Sequence, residues 1–233
     1  MSTHKITTVI FVITSTFTIE SCESDSGSNR TANPGISSDE EQFKPGQESI
    51  SDPSTDQESK QMPDDPKMIK LLTLHNDGRH MVNRAQLANQ PLPEAPLKDL
   101  TWNAALAQVA QNWANKCTFS HSESNQRKTE FESLGGMGVI GENFFWGSSE
   151  TQAFSYWFDE YLNYSHSDNE CTPASNASNP QCGHYTQIVW DETKELGCGY
   201  KEDCTRNGRE VFYLICNYSP AGNYPRAPYS ASD

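Results

Sequence analysis

Apolar residues recur at helical spacing in three stretches of the chain. The first predicts a helix from Lys67 to about Ala88 with one buried face, made of Ile69, Leu72, His75, Arg79 and Val82. The second follows Thr101 and carries Trp102, Leu106, Val109, Trp113 and Cys117. The third begins near Ser148 or Ser149 and brings together Phe154, Trp157 and Tyr161. Three helices are therefore expected, the first two separated by a proline-rich, extended connection.

The last third of the chain has the pattern of strands. They are predicted at Thr186–Trp190, from Leu196 to about Asp203, and at Glu210–Tyr218. Asn207-Gly208 lies between the last two and is the dipeptide that a type I′ hairpin turn prefers. Helices followed by an antiparallel meander indicate an α+β fold with helices packed on the sheet.

The chain before the first helix has a different composition. Residues 1–21 combine a basic start at His4 and Lys5 with an apolar, threonine-rich stretch, which is typical of a secretory signal peptide. Residues 22–66 are rich in Ser, Asp, Glu, Gln, Gly and Pro and predict an acidic disordered linker. One globular domain, residues 67–233, is expected to follow.

The formal net charge is −14, and most of the excess lies in the linker. From Cys22 to Pro66 there are eleven acidic residues and three basic ones. A chain without clustered Lys and Arg is not expected to bind nucleic acid, which requires cations against its phosphates. Beyond the signal, no apolar run is long enough to predict a transmembrane segment.

Six of the seven cysteines fall in the C-terminal half and form an even set, which favours disulfides and an oxidising compartment. The seventh, Cys22, lies where a signal would be cut. Either it is lost or incidental, or it is the lipidated first residue of a bacterial lipoprotein, for which Ile19-Glu20-Ser21 is a poor match. The first alternative is preferred, and secretion to the extracellular space is the prediction.

Four motifs occur in a fixed order. They are His75-Asn76-Asp77-Gly78-Arg79, Gly141-Glu142-Asn143-Phe144, the run Gly183–Trp190 (GHYTQIVW), and the run Leu214–Tyr224 (LICNYSPAGNY). Together they resemble the CAP superfamily, also called the SCP domain, which includes cysteine-rich secretory proteins, insect venom antigen 5 and plant pathogenesis-related protein 1. The resemblance covers residues 67–225.

The resemblance implies a three-layer α-β-α sandwich with a small central antiparallel sheet and a cleft lined by two histidines and two glutamates. By motif position these four residues are His121, Glu142, Glu160 and His184. Two imidazoles and two carboxylates suit zinc, with His121 and His184 as metal ligands, whereas calcium would need more oxygen donors. The alternative is that the four side chains only hydrogen-bond one another.

The resemblance also implies three disulfides among fifteen possible connectivities. The pairs are Cys117–Cys204, Cys171–Cys182 and Cys198–Cys216, of which the last is also favoured by its near-symmetric position about the hairpin turn. Sequons predict glycosylation at Asn29, Asn163 and Asn176, while Asn217 is disfavoured because it lies in a predicted strand.

One feature departs from shorter family members. About twenty residues, Glu123 to Ile140, separate His121 from the Gly141-Glu142-Asn143 motif, and a mobile loop at the cleft mouth is expected there. Because of this insertion, the sequence does not predict the distance between His121 and Glu142. His75 and Arg79 are assigned a structural role, packing the first helix on the sheet.

The sequence favours a non-enzymatic protein that binds a small apolar ligand. A Ser-His or Cys-His enzyme needs a nucleophile beside its base, but Ser122 and His121 are neighbours in an extended segment and should point apart. The resemblance is to CAP proteins that bind sterols, fatty acids or other small lipids in defence or host interaction. The aromatic run Phe144-Phe145-Trp146 suits such a ligand, with ordinary packing as the alternative reading.

Two other functions stay open. One is a metal-dependent hydrolase, such as a protease, with Glu142 or Glu160 as general base. The other is a module that binds an extracellular receptor or channel through its surface.

Overall fold

The computed structural model describes residues 62–172 and 181–232. The signal peptide, almost all of the predicted linker, Asn29 and Asn176 lie outside these ranges. In the described ranges, no helix has both the length and the apolar character needed to cross a membrane.

Five α-helices and six strands make up the described domain. In chain order they are α1 (Pro66–Asn83), β1 (Thr101–Trp102), α2 (Ala104–Ala114), α3 (Ser124–Ser133), β2 (Gly141–Gly147), α4 (Glu150–Phe158), β3 (Tyr164–Ser165), β4 (Glu170–Cys171), α5 (Gly183–Ile188), β5 (Glu195–Arg206) and β6 (Arg209–Ser219). A 3₁₀ turn, Asp159–Leu162, extends α4.

Helix boundaries follow from local chemistry. Asp65 caps α1 by accepting from the Lys67 N–H at 2.7 Å, and Pro66 occupies the first turn, where its missing N–H costs nothing. Asn103 and Ser149 cap α2 and α4 in the same way. The first helix ends at Asn83, five residues before the predicted Ala88, and Ile69 is 37% exposed while Met68 and Leu71 are buried in its place.

The central sheet has the order β1-β5-β6-β2. β5 pairs antiparallel with β6, β6 with β2, and the short β1 adds parallel to β5, so the sheet is antiparallel except at this edge. Asn207 and Gly208 both have positive φ, as the predicted type I′ turn requires.

Side chains alternate between the two faces of the sheet and so define three layers. On β6, Leu214, Cys216 and Tyr218 belong to the larger core cluster with α1 and α4. Tyr213 and Ile215 belong to a second cluster with α2. The result is the α-β-α sandwich that the resemblance implied.

Three further predictions about local structure are wrong. Trp102 lies in β1 and Cys117 follows α2, so neither belongs to the second helix. Residues 186–189 form the end of α5 and its C-cap, and Trp190 follows the cap, so no strand forms here, because Tyr185, Ile188 and Val189 pack into the helical layer. The segment from Glu123 to Ile140 contains α3 instead of being a continuous loop. Phe131 fixes this helix by packing with Leu106, Val109 and Ile140.

Three disulfides hold the layers together: Cys117–Cys204, Cys171–Cys182 and Cys198–Cys216. They are the three pairs that the family pattern implied. Cys198 and Cys216 are directly opposite on β5 and β6. Cys117–Cys204 joins the end of α2 to β5, and Cys171–Cys182 joins β4 to the residue before α5.

Candidate functional site

An open cleft of about 940 Å³ lies between the sheet edge and α4 and α5. His121, Glu142 and His184 line it, and Glu160 lies directly behind His184. The structure therefore brings all four residues of the predicted tetrad to one region, although they come from four different segments of the chain.

The first half of the site is built on Glu142, at the start of β2. Its side chain is only 1% exposed, and Oε1 is 2.9 Å from Nδ1 of His121. The Ser122 backbone N–H donates to Oε1 at 2.9 Å, and the Ser122 hydroxyl donates to Oε2 at 2.6 Å. His121 itself is 56% exposed, so its imidazole stands at the mouth of the cleft.

The second half is built on Glu160, in the 3₁₀ turn after α4. Oε1 of Glu160 is 2.6 Å from Nδ1 of His184. Oε2 accepts from the backbone N–H groups of His184 and Tyr185, at 2.9 and 3.2 Å, where α5 begins. Trp157 stacks on the His184 ring at 5.9 Å and fixes its plane.

The two histidines share one arrangement. In each, Nδ1–H donates to a buried carboxylate, which selects the tautomer whose lone pair is on Nε2. Neither Nε2 has a hydrogen-bond partner among the residues that the structure describes. This arrangement of a carboxylate behind a histidine is the one that orients imidazoles toward metals.

The donor set is small. Within the described part of the chain, no three His, Cys, Asp or Glu side chains are grouped so that they could hold a metal ion together. The two imidazole nitrogens would therefore supply at most two protein ligands, and water or a bound ligand would have to complete the shell.

A buried polar chain supports the site from behind. Asn143, which is 1% exposed, donates from Nδ2 to the His184 carbonyl at 3.2 Å and to the Tyr218 hydroxyl at 3.0 Å. This residue follows Glu142 on β2, with its side chain on the opposite face. It links the backbone of one histidine to the sheet.

Aromatic rings form much of the cleft wall. Phe144 meets His121 edge-on at 4.6 Å and stacks on Trp146 at 5.8 Å. Trp146 is 39% exposed and Tyr156 is 58% exposed on the opposite side, whereas Phe145 is buried. The three consecutive aromatics are thus divided by strand alternation: Phe144 and Trp146 share one face of β2 and the buried Phe145 points to the other.

Sequence reasoning missed parts of the site. Ser122 was expected to point away from His121, yet both residues bind the same carboxylate because Glu142 lies between them. His166, which is not among the residues that line the cleft, is buried and bonds through Nε2 to the Tyr229 carbonyl at 3.0 Å. The position of Ser122 directly after His121 was a signal that could have linked it to the site. No signal in the sequence indicates that His166 is buried.

The predicted structural residues have structural contacts. Arg79 is fully buried and donates to the carbonyls of Lys98, Ile188 and Trp190, which secures the C-terminal end of α5.

Asn217 is buried in β6 and donates to the Leu106 carbonyl at 3.4 Å, so a glycan has no room there. Asn163 is partly buried, and glycosylation at this sequon stays a prediction.

An α-β-α sandwich with paired His-Glu groups in an open cleft defines a class of protein, and comparisons with known proteins agree with it. The model of the cysteine-rich secretory protein (CAP) family matches residues 72–218. Venom allergen 5.02 of Vespa crabro is 37% identical over 171 residues, covering 69% of this chain and 77% of that protein. Scoloptoxin SSD976 of Scolopendra dehaani is 37% identical over 172 residues, covering 70% and 74%.

A solved structure, "Crystal structure of NaASP2 with Zn2+", superposes with a TM-score of 0.57 at 27% identity, covering 74% of this chain and 92% of that one. The chain described here belongs to the CAP family.

Proposed function

We propose that this chain is a secreted binding protein whose cleft takes up a small apolar ligand, such as a sterol or a fatty acid, in defence or host interaction. His121 and His184 give the same cleft the capacity to bind zinc. The function is binding, and no bond of the ligand is made or broken.

The observation that carries the proposal is the cleft itself. Its volume of about 940 Å³ is at the upper end of the range for small-molecule sites, roughly 300–1,000 Å³. Phe144, Trp146 and Tyr156 contribute aromatic surface to its lining. Polar side chains line other parts of the cleft, among them His121, His184, Gln181, Asn223 and Arg226. A mostly apolar molecule that also carries a polar group fits this lining.

The zinc proposal depends on the paired His-Glu geometry. In the neutral form of each ring the lone pair is on Nε2, and each ring is held by a carboxylate that accepts further hydrogen bonds. NaASP2, whose structure is described as containing Zn²⁺, supports the idea by similarity. When bound, zinc would supply a positive charge and open coordination positions beside the apolar part of the cleft.

Secretion is supported by three observations. The chain begins with the pattern of a signal peptide. The described domain contains three disulfides, which persist in oxidising compartments. Among its relatives are a venom allergen and a scoloptoxin.

The hydrogen bonds and disulfides that the polar groups and cysteines already make favour a binding role over hydrolysis. The Ser122 hydroxyl donates to Glu142 and bonds no histidine among the described residues. All four carboxylate oxygens of Glu142 and Glu160 accept at least one hydrogen bond, which gives both residues an orienting role. The six cysteines of the described domain are in disulfides.

The test is a pair of titrations on the secreted chain, one with a fluorescent sterol and a fatty acid, the other with zinc. Trp146→Ala and Tyr156→Ala are expected to weaken lipid binding, while the exposed Leu134→Ala serves as a control outside the cleft. The double variant His121→Ala, His184→Ala should lose zinc and keep the lipid.

Absence of saturable lipid binding in the unaltered chain would overturn the apolar-ligand proposal. Cleavage of peptide substrates that requires zinc and disappears in the double histidine variant would support the hydrolase in its place.

A further inference from the structure

The inserted segment between His121 and Glu142 contains one buried cation. Arg127 lies in the first turn of α3, and its side chain is 10% exposed. The next residue, Lys128, is exposed, and its ion pair among the described residues is with Glu132 on the same helix. Burying a guanidinium requires compensating acceptors, and the identity of those acceptors shows what Arg127 holds together.

The acceptors of Arg127 lie at both ends of the inserted segment. Nη1 donates to the carbonyl and to the hydroxyl of Ser122, both at 2.7 Å. Nε donates to the carbonyl of Ile140 at 3.3 Å. A single guanidinium therefore connects the residue after His121 with a residue two positions before Glu142, and closes the base of the insertion.

The same guanidinium also faces the buried carboxylate of the site. Nη1 is 3.5 Å from Oε1 of Glu142, the oxygen that bonds to His121. Ser122 lies between them, with its hydroxyl accepting from Arg127 and donating to Glu142. The charge of Glu142 is thus balanced inside the protein, and its position is fixed from the α3 side.

We propose that Arg127 is a positioning residue of the cleft, which sets His121 against Glu142 across an insertion that would otherwise leave the two segments free to separate. Arg127 does not itself line the cleft and has no bond to either histidine among the described residues; it acts through Ser122 and Glu142. The inference deepens the proposed zinc function, because zinc binding by His121 would depend on a residue in the inserted helix.

One difference between the two halves of the site supports this role. Both carboxylates accept a hydrogen bond from a backbone N–H at or beside their histidine. In the described part of the chain, however, only Glu142 also has an arginine within ion-pair distance. Glu142 and His121 lie 21 residues apart on either side of α3, and Arg127 supplies the tie between their flanking segments.

The test compares Arg127→Met and Arg127→Lys with Lys128→Met as the matched control on the same helix. Zinc affinity is measured by calorimetry, and the histidine tautomers by long-range ¹H–¹⁵N NMR on the metal-free protein. Arg127→Met is expected to raise the zinc Kd up to about tenfold, the lower end of the effect of losing a direct partner of a metal ligand, because Arg127 acts on His121 through Glu142. Arg127→Lys should recover only part of the affinity. Lysine keeps the positive charge, but its ammonium group lacks the planar guanidinium that reaches both Ser122 and Ile140.

The NMR readout separates positioning from general stability. In Arg127→Met the His121 signals should lose the signature of a Nδ1–H held by a carboxylate, while the His184 signals, an internal control, stay unchanged. Lys128→Met should alter neither. If Arg127→Met does not fold, Ser122→Ala, which removes the bridging hydroxyl, is expected to shift His121 in the same direction by a smaller amount.

The outcomes distinguish this inference from the proposed function. If the unaltered chain binds no zinc, the zinc proposal fails, and the His121 tautomer in Arg127→Met still decides the positioning role. If zinc binds equally well to Arg127→Met and the chain without substitutions, and His121 keeps its signature, Arg127 does not position the site.

Discussion

Nε2 of His75 accepts a 2.9 Å hydrogen bond from the hydroxyl of Tyr218, a residue 143 positions later in the chain. Nδ1 of His75 donates to the Leu71 carbonyl at 2.7 Å, so both ring nitrogens are used. Tyr218 also accepts from Asn143, which bonds to the backbone of His184. A single line of buried polar groups therefore connects α1, the sheet and the cleft.

The His75 imidazole makes the stability of the domain depend on pH. Burial, with Arg79 as a smaller contributor, lowers the pKa of His75 from 6.5 to about 4. Between these values the unfolded state binds one more proton than the folded state, so the free energy of unfolding falls as the pH drops from 6.5 towards 4. The loss attributable to His75 is on the order of 3 kcal/mol at pH 4.

Chemical denaturation at a series of pH values measures this effect. His75→Gln should lower stability at neutral pH and reduce the slope between pH 6.5 and 4. Burial also lowers the pKa of His166, so His166→Gln is the comparison for a second buried imidazole. An unchanged slope in His75→Gln would show that His75 does not carry this pH dependence.

The disulfides should differ in their contribution to stability. Cys117–Cys204 closes a loop with a sequence separation of 87, and Cys171–Cys182 one of 11. In the chain-entropy account, replacing the first pair with Ala costs roughly 4–5 kcal/mol and the second about 3 kcal/mol. Denaturation midpoints of the two double variants test the order, and a larger loss from the shorter loop would contradict it.

Gly199 permits close packing of α2 on β5. A Cβ at this position would lie 2.4 Å from both the Cα and the backbone N of Gln111, and main-chain atoms of a packed helix cannot move aside alone. Gly199→Ala should therefore destabilise the domain by about 1–3 kcal/mol. Thr205→Ala, exposed on the same strand, is the control, and equal melting temperatures of the two variants would refute the packing argument.

Glu160 is expected to be important for both stability and the His184 half of the site. In Glu160→Gln an NH₂ group replaces one oxygen that accepts hydrogen bonds, so a buried donor faces another donor. The expected loss is about 1–3 kcal/mol of unfolding free energy, together with a 10- to 100-fold weaker proposed zinc site. Thermal denaturation and zinc calorimetry measure the two effects.

The matched variant is Glu142→Gln, which makes the same change in the other half of the site. In each variant only the neighbouring histidine should change its NMR signature. A change at His121 in Glu160→Gln would mean that the two halves are coupled more tightly than their separate hydrogen bonds indicate.

Much of the fold could be predicted from local signals. The face of α2 with Leu106 and Val109, the cap at Ser149 and the Asn207-Gly208 turn are encoded within a few residues, because helix periodicity, capping and turn conformation depend on near neighbours. The motif order indicated the family, and with it the sandwich and the residues of the tetrad.

The predictions that failed concern segments whose structure depends on distant partners. Residues 186–190 have an apolar run short enough for either a strand or a helix, and the packing of Tyr185 and Ile188 in the core selects the helix. The α3 segment has little apolar periodicity, so only the burial of Phe131 and Arg127 reveals it as an ordered element.

The sequence by itself determined the class of the domain, its cysteine-rich character and the four residues of the candidate site. Only the tertiary structure decided how that site is held: Glu142 by Ser122 and Arg127, and Glu160 by the backbone at the start of α5. The physical reason is that a buried carboxylate must find its donors wherever folding places them in space, and no local pattern in the chain specifies that placement.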